Sequence, residues 1–103
     1  MVSMVYESTS KMPFKNDWGL RGQIQRAVIS VMSNIAECFI SQTNKEFIVF
    51  PGYALRSNAE VPSQLYAALD LHYLDGNTFS LLMEKCNSIT RLLQGFIRYL
   101  ETA

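Results

Sequence analysis

The clearest hydrophobic pattern lies in the last third of the chain, where apolar residues recur at alternating steps of three and four. This spacing places one apolar seam on one face of an α-helix. Asp75 precedes the seam, and its carboxylate is suited to accept hydrogen bonds from the first free amides of a helix. The pattern predicts a helix from about Gly76 to Glu101, with a weak position at Gly95. The seam consists of Phe79, Leu82, Cys86, Ile89, Leu93, Phe96 and Leu100.

An earlier segment carries two apolar strips side by side, which together cover more than half of a helix surface. A helix this apolar needs burial on two sides, so one strip predicts a core contact and the other predicts a contact with another subunit. Asn16 or Asp17 can cap its start, after a turn marked by Pro13. The core strip is Leu20, Ile24, Ala27, Val31, Ile35 and Cys38, and the second strip is Ile29, Met32, Ala36 and Phe39.

A third helical pattern begins with a capping box at Thr43 and Glu46 and ends near Leu71. Pro51 and Pro62 interrupt this pattern, and each costs about 3 kcal/mol in a regular helix interior. The two prolines lie roughly 20° apart around the helix, so they bend it in one direction. The prediction is one proline-kinked helix. The alternative is a break near Arg56, with a new helix capped at residues 57–60.

The first segment, Val2 to Met12, forms a helix that is marginal without tertiary packing. The chain has 103 residues, of which 49% are hydrophobic and 17% charged, which suits one domain with a buried core. We therefore predict a single all-α domain over residues 1–103. Its expected architecture is an antiparallel up-down four-helix bundle with a shortened first helix and a proline-kinked third helix.

A polar stripe runs along the second predicted helix within roughly 80° of its circumference. If the third helix folds back after a tight turn near Ser41, Arg26 faces Ser57 and Gln23 faces Glu60. An Arg26–Glu60 pair is then within reach. The stripe has two interpretations: a partly buried network that sets the register of the helices, or a polar groove that faces a ligand. Its members are Gln23, Arg26, Ser30, Asn34 and Glu37.

The same stripe carries a resemblance to a known family over about Val5 to Leu100. The matching stretches are "GLRGQIQRAVISVMSNIAE", "NKEF", "ALRSNAE" and "QL". They resemble the four-helix-bundle proteins encoded in intervening sequences of bacterial 23S rRNA genes. The resemblance implies a homo-oligomer, a pentamer, with no established enzymatic activity. A related group, the accessory proteins of diversity-generating retroelements, binds nucleic acid and a reverse transcriptase, which makes such binding the alternative function by analogy.

The chain departs from the family pattern at several positions. The family usually has glycine at the positions of Cys38, Ile40 and Arg56, and a basic residue at that of Ser41. Members also usually carry more residues before the position of Val5, which complete a long first helix. A shortened first helix leaves part of the bundle groove uncovered. Three explanations are open: the chain starts later than its relatives, it is a decaying copy, or a partner fills the groove.

Charge and aromatic residues bear on nucleic-acid binding. Lys+Arg and Asp+Glu both number 9, and the resulting formal net charge of zero argues against a strongly electrostatic partner. A local basic patch is still compatible with this balance. The candidate RNA contacts are Arg21, Lys45 and Arg56, with Trp18 as the stacking residue. For Trp18 the favoured interpretation is a hydrophobic plug at the start of the second helix, and base stacking is the alternative.

Residues suited to catalysis are few. His72 lacks the Glu-x-x-His spacing of di-iron bundles, and no glycine-rich phosphate loop is present. Cys38 and Cys86 form no CxxC pair and are interpreted as small core residues of a reduced, cytosolic chain. No apolar stretch reaches the roughly 18–20 residues of a membrane span. We predict a cytoplasmic, non-enzymatic protein without a metal or cofactor.

Overall fold

Four α-helices form the molecule, as seen in a computed structural model that describes residues 1–40 and 44–102. The side chain of Phe39 and those of residues 44–48 lie outside this description. The predicted all-α architecture is confirmed, and within the described residues there is no β-strand. The elements are α1 (Val2–Thr9), a 3₁₀ turn (Phe14–Asn16), α2 (Trp18–Ile40), α3 (Asn44–Asp70) and α4 (Gly76–Thr102).

Two aspartates define where α2 and α4 begin. Asp17 Oδ1 accepts a hydrogen bond from the Leu20 amide at 3.1 Å, and Asp75 Oδ1 accepts one from the Thr78 amide at 2.6 Å. The Thr78 amide lowers the pKa of the Asp75 carboxyl, because the hydrogen bond favours the charged form. Both caps agree with the sequence prediction, which had left Asn16 as the alternative for α2.

The helix α1 ends at Thr9, earlier than the predicted end at Met12. The Thr9 hydroxyl is buried, donates to the Val5 carbonyl at 2.9 Å and accepts from Gln25 Nε2 at 3.0 Å. These bonds hold the last turn of α1 against α2. The chain then turns so that Phe14 can stack on Tyr73, with 5.0 Å between the ring centroids.

The third helix continues through both prolines, so the predicted long helix is confirmed and the alternative break near Arg56 is wrong. Ala54, Val61 and Leu65 on one face of α3 are fully buried. Burying a Val or Leu side chain contributes about 1.5–3 kcal/mol, which offsets the hydrogen bonds that the prolines remove. The predicted capping box at Thr43 and Glu46 lies outside the described residues and side chains.

The core lies between α2, α3 and α4, and α1 covers one half of it. The α3–α4 connection closes that covered end with a left-handed residue, His72, at φ 61°. Its amide bonds the Leu69 carbonyl at 3.0 Å, and the Tyr73 amide bonds the Ala68 carbonyl at 2.8 Å, which is a Schellman ending. The buried core residues are Val5, Phe14, Ile24, Ala27, Val28, Val61, Leu65, Ala68, Leu74, Leu82 and Cys86.

Candidate functional site: the polar groove between α2 and α3

A polar groove with a volume of about 530 Å³ runs along the seam between α2 and α3. The predicted polar stripe forms its α2 wall, because residues spaced by three and four lie on one helix face. A matching polar set on α3 forms the other wall. The lining residues are Gln23, Arg26, Ala27 and Ser30 on α2, and Ser57, Glu60, Ser63 and Gln64 on α3.

A hydrogen-bonded cluster connects the two walls. The hydroxyls of Ser30 and Ser57 are 2.7 Å apart. Asn34 Nδ2 donates to the Ser30 carbonyl at 2.8 Å and to Ser30 Oγ at 3.2 Å. These side chains are only partly exposed, so the cluster satisfies polar groups that the helix contact removes from water. Glu37, the last residue of the stripe, is exposed and does not line the groove.

The register of the α2–α3 pair differs from the prediction by one helical turn. The predicted register placed Ser57 opposite Arg26, whereas the structure places it opposite Ser30. The turn assumed near Ser41 lies outside the described residues. Residues on one helix face recur about every 3.6 positions, so a shift of one turn keeps the same face in contact. Side-chain packing, rather than the period of the pattern, selects the register.

Arg26 and Glu60 line the same groove, but they do not form the ion pair that the predicted register placed within reach. Among the described side chains, the ion pair present is Glu7–Lys11, with 3.7 Å between Glu7 Oε1 and Lys11 Nζ. The Arg26 guanidinium instead lies back along α2, where a Cβ added at Gly22 would be 3.0 Å from its Nη1. The groove therefore presents one cation and one anion to solvent.

One uncharged acceptor in the groove wall also lacks a partner. Gln64 Oε1 is shielded from solvent and accepts no hydrogen bond. Arg26 and Glu60, both exposed, give the groove one charged donor and one charged acceptor. This set can bind water or a small polar ligand by hydrogen bonding. The serine hydroxyls that line the groove bond one another, as Ser30 and Ser57 do, or a main-chain carbonyl, as Ser63 does.

The candidate nucleic-acid residues do not form one patch. Trp18 and Arg21 lie together at the start of α2, where Arg21 Nη1 donates to the Lys15 carbonyl at 2.8 Å. The Trp18 side chain is 75% exposed, so its interpretation as a buried plug is wrong. Lys45, whose side chain is not described, is in the first turn of α3, at the other end of the α2–α3 pair.

Arg56 is separated from the pair at Trp18. It lies over the ring of Tyr53, with 5.9 Å between its guanidinium carbon and the ring centroid. The antiparallel register places Arg56 about midway along α2, and α2 itself is about 35 Å long. A nucleic-acid strand would have to follow the length of the bundle to contact all four candidates.

The second apolar strip of α2 faces outward. Met32 is 51% exposed, Ala36 is exposed and Ile29 is half-buried beside Tyr6 of α1. Phe39, the fourth predicted member, has no described side chain. Ile40 continues the strip by one more turn and is also exposed. The strip is therefore an apolar surface of the single chain, as an intersubunit contact would require.

One buried polar residue was missed by the sequence reasoning. Asn58 is 1% exposed, and its Nδ2 donates across the α3–α4 seam to the Cys86 carbonyl at 2.9 Å and to Thr90 Oγ1 at 3.0 Å. Its Oδ1 has no partner. A usable signal was present, because Asn58 occupies a core position between Ala54 and Val61 in the helical pattern.

The two thiols and the histidine have structural environments. Cys38 and Cys86 are free and buried, and burial raises the pKa of the Cys38 thiol and raises that of Cys86 to about 11. His72 forms the left-handed end of α3. Within the described part of the chain, no three His, Cys, Asp or Glu side chains group as metal ligands would. The described helices include none with the length and hydropathy needed to cross a membrane.

The fold and groove define a class of small all-α bundle proteins with two long antiparallel helix seams. The family model of the 23S rRNA-intervening sequence protein matches residues 1–95, and the chain belongs to this family. A comparison with curated proteins gives no match.

A solved structure has the same fold: a protein of unknown function from the S23 ribosomal protein family of Bacteroides thetaiotaomicron VPI-5482. The two structures superimpose with a TM-score of 0.84 over 94% of this chain and 87% of that chain. Their sequences are 22% identical. At this identity the similarity concerns the fold.

Proposed function

We propose that the protein is a non-enzymatic helical scaffold that assembles with copies of itself through the outward strip of α2. The observation that carries this proposal is the apolar row of half-buried Ile29 and exposed Met32 and Ala36, on a helix whose neighbouring strip is already buried in the core. The proposed assembly is a pentamer, the state implied by the resemblance to the intervening-sequence proteins.

The physical argument is the hydrophobic effect. Apolar area removed from water stabilises an assembly by roughly 25 cal/mol per Å². A row of apolar side chains spaced by three and four positions on one helix can pack against the same row of another helix. The strip carries no charged side chain of its own, so its burial requires no charge to be desolvated.

Size-exclusion chromatography with multi-angle light scattering tests the proposal. We expect a mass several times the 11.7 kDa of one chain, and a shift to the monomer mass in Ile29→Asp. The matched control is Leu81→Asp, which places the same charge at a 43%-exposed position on α4. A monomeric wild-type chain would overturn the proposal, and an assembly of another size would overturn the pentamer alone.

A second candidate function is an accessory protein that binds RNA or a reverse transcriptase. The observation in its favour is the exposed indole of Trp18 beside Arg21, since an aromatic face next to a cation can stack on an unpaired base. The other two candidate contacts, Lys45 and Arg56, are on α3 and are not part of this surface.

Fluorescence anisotropy with a labelled RNA hairpin measures this second function directly. We expect binding that weakens as salt rises, and a loss of affinity in Trp18→Ala and Arg21→Ala. Arg98→Ala is the control. Arg98 is exposed near the end of α4, far along the bundle from Trp18. Equal affinity in all variants, or no binding at low salt, argues against RNA binding.

A further inference from the structure

The polar groove between α2 and α3 contains side chains that the fold itself leaves unused. Among the described residues, the guanidinium of Arg26, the carboxylate of Glu60 and the amide of Gln23 form no hydrogen bond or ion pair. The groove also lies on a different seam from α1, which packs against α2 and α4 through Gln25 and Cys86. Its two walls therefore belong to α2 and α3 alone.

The contact between the hydroxyls of Ser30 and Ser57 fixes which residues lie level across the groove. Three positions back along α2 is Ala27, and three positions forward along the antiparallel α3 is Glu60. Equal steps along two antiparallel helices reach the same level. Arg26 precedes Ala27 by one position, so the main chains of the two charged residues lie on opposite walls at nearly the same level.

The charged group of Arg26 is displaced from that level. Its guanidinium lies beside Gly22, where an added Cβ would be 3.0 Å from Nη1. Gly22 precedes Ala27 by five positions, which corresponds to about 7 Å along the helix axis. The positive group is thus about 7 Å along the groove from the level of Glu60. A ligand that contacts both residues must carry its own opposite charges well apart.

This pair of charges selects against ligands of a single sign. Glu60 repels a phosphate or another anion that Arg26 attracts, and Arg26 repels a metal cation that Glu60 attracts. A guanidinium donates two parallel hydrogen bonds to a carboxylate, and an ammonium group donates to a carboxylate in turn. A ligand with a carboxylate at one end and an ammonium group at the other satisfies both residues.

A dipeptide fits the spacing of these two groups. A free amino acid holds its ammonium group and its carboxylate on one carbon atom, whereas two residues of extended chain span about 7 Å. The central peptide unit brings one donor and one acceptor, and the exposed amide of Gln23 offers one of each in return. Ala27, which is buried, is the only apolar residue of the lining, so the matching side chains are small or polar.

We propose that the groove binds a zwitterionic dipeptide, with its C-terminal carboxylate on Arg26 and its N-terminal ammonium group on Glu60. Both residues are exposed, so water and salt screen these contacts and the dissociation constant is on the order of 1 mM. This binding activity goes beyond self-assembly and does not depend on it, because Ile29 and Met32 do not line the groove.

An NMR titration of the intact, isotope-labelled protein tests the proposal. The probe is glycylglycine, which carries both charges and no side chain. Its N-acetylated and C-amidated forms each lack one charge, and glycine holds both charges on one carbon atom. We expect saturable shifts of backbone amides along the groove, and binding of the other three probes at least about fivefold weaker. Equal binding of glycylglycine and any of these three, or no saturable shift, would overturn the proposal.

Charge reversal locates the ligand on the protein. Arg26→Glu and Glu60→Arg each leave two like charges in the groove, and each should weaken glycylglycine binding at least about tenfold. The double variant again presents one charge of each sign and should recover binding to within about fivefold of wild type, with the dipeptide reversed.

Glu84→Arg is the matched control, because it makes the same change at an exposed position of α4 outside the groove. Its affinity should equal that of wild type, and circular dichroism verifies that every variant folds. Unchanged affinity in either single variant contradicts the proposal. Equal weakening in Glu84→Arg, or a double variant that binds no better than the single ones, contradicts it as well.

Discussion

The phenol of Tyr73 donates a hydrogen bond to Asp17 Oδ2 at 2.9 Å and thereby joins residues 56 positions apart in the chain. The other oxygen of Asp17 caps α2 through the Leu20 amide. One carboxylate thus connects the start of α2 with the α3–α4 connection. Phe14 stacks on the Tyr73 ring and shields this junction from one side.

The first prediction is that Tyr73 makes stability depend on alkaline pH. The hydrogen bond to Asp17, followed by burial, raises the pKa of Tyr73 above 10.0, so the folded state favours the neutral phenol. The stabilisation from the neutral phenol is fully present below the pKa that Tyr73 has in the unfolded chain. It is lost as the pH rises through the higher pKa that Tyr73 has in the folded state. We expect urea midpoints measured from pH 8 to 11 to fall more steeply in wild type than in Tyr73→Phe. Tyr99→Phe, at an exposed tyrosine, should follow wild type.

The second prediction concerns the left-handed residue that ends α3. A left-handed conformation costs a non-glycine residue about 1–2 kcal/mol, and His72 adopts it at φ 61°. His72→Gly should therefore raise the free energy of unfolding by about 1 kcal/mol in urea denaturation. His72→Ala retains a Cβ and serves as the control, with no gain expected. A gain of equal size in both variants would show that the imidazole, rather than the backbone, carries the cost.

The third prediction compares the roles of the two side-chain amide atoms of Asn58, the donor Nδ2 and the acceptor Oδ1. Asn58→Asp replaces the donor that faces the Cys86 carbonyl with an oxygen and buries a charge, which should cost about 3 kcal/mol or more at neutral pH. Acidification should recover part of this loss, because a protonated carboxyl can donate.

Asn58→Leu provides the comparison for the same site. It removes the unpartnered Oδ1 together with the donor at similar volume, and should stay within about 1.5 kcal/mol of wild type. Thr90 can then bond a carbonyl of its own helix. Chemical denaturation of the two variants measures the difference, and equal destabilisation by Asp and Leu would contradict the assigned orientation of the amide.

The fourth prediction is that both thiols react slowly in the folded protein. A thiol with a pKa of about 11, as burial gives Cys86, is roughly one part in a thousand thiolate at pH 8. Burial also raises the pKa of Cys38 and restricts access to it. We expect Ellman's reagent to label the native chain at least about tenfold more slowly than the chain in urea. Cys38→Ala assigns the remaining rate to Cys86, and fast native labelling of either thiol would contradict its buried position.

Much of the fold was predictable because helices depend on local order. The spacing of apolar residues predicts α2, α3 and α4, and Asp17 and Asp75 have side chains suited to cap α2 and α4. The placement of Arg26 and Ser30 on one face follows from the helical period alone.

Other features depend on contacts between distant residues. The end of α1 at Thr9 follows from its bond to Gln25, and the passage of α3 through its prolines follows from burial of residues such as Val61. The partners of Asn58 lie on a different helix, so the polar residue was visible in the pattern while its role was not.

The sequence by itself determined the three long helices, the Asp75 cap of α4 and the faces that carry the polar and apolar strips, because each depends on residues within a few positions of one another. Only the tertiary structure decided that Ser30 meets Ser57, that Arg26 and Glu60 form no ion pair, and that Ile35 and Phe96 line one apolar trough. Registers one turn apart present the same helix face, so the choice between them rests on how side chains from separate helices pack.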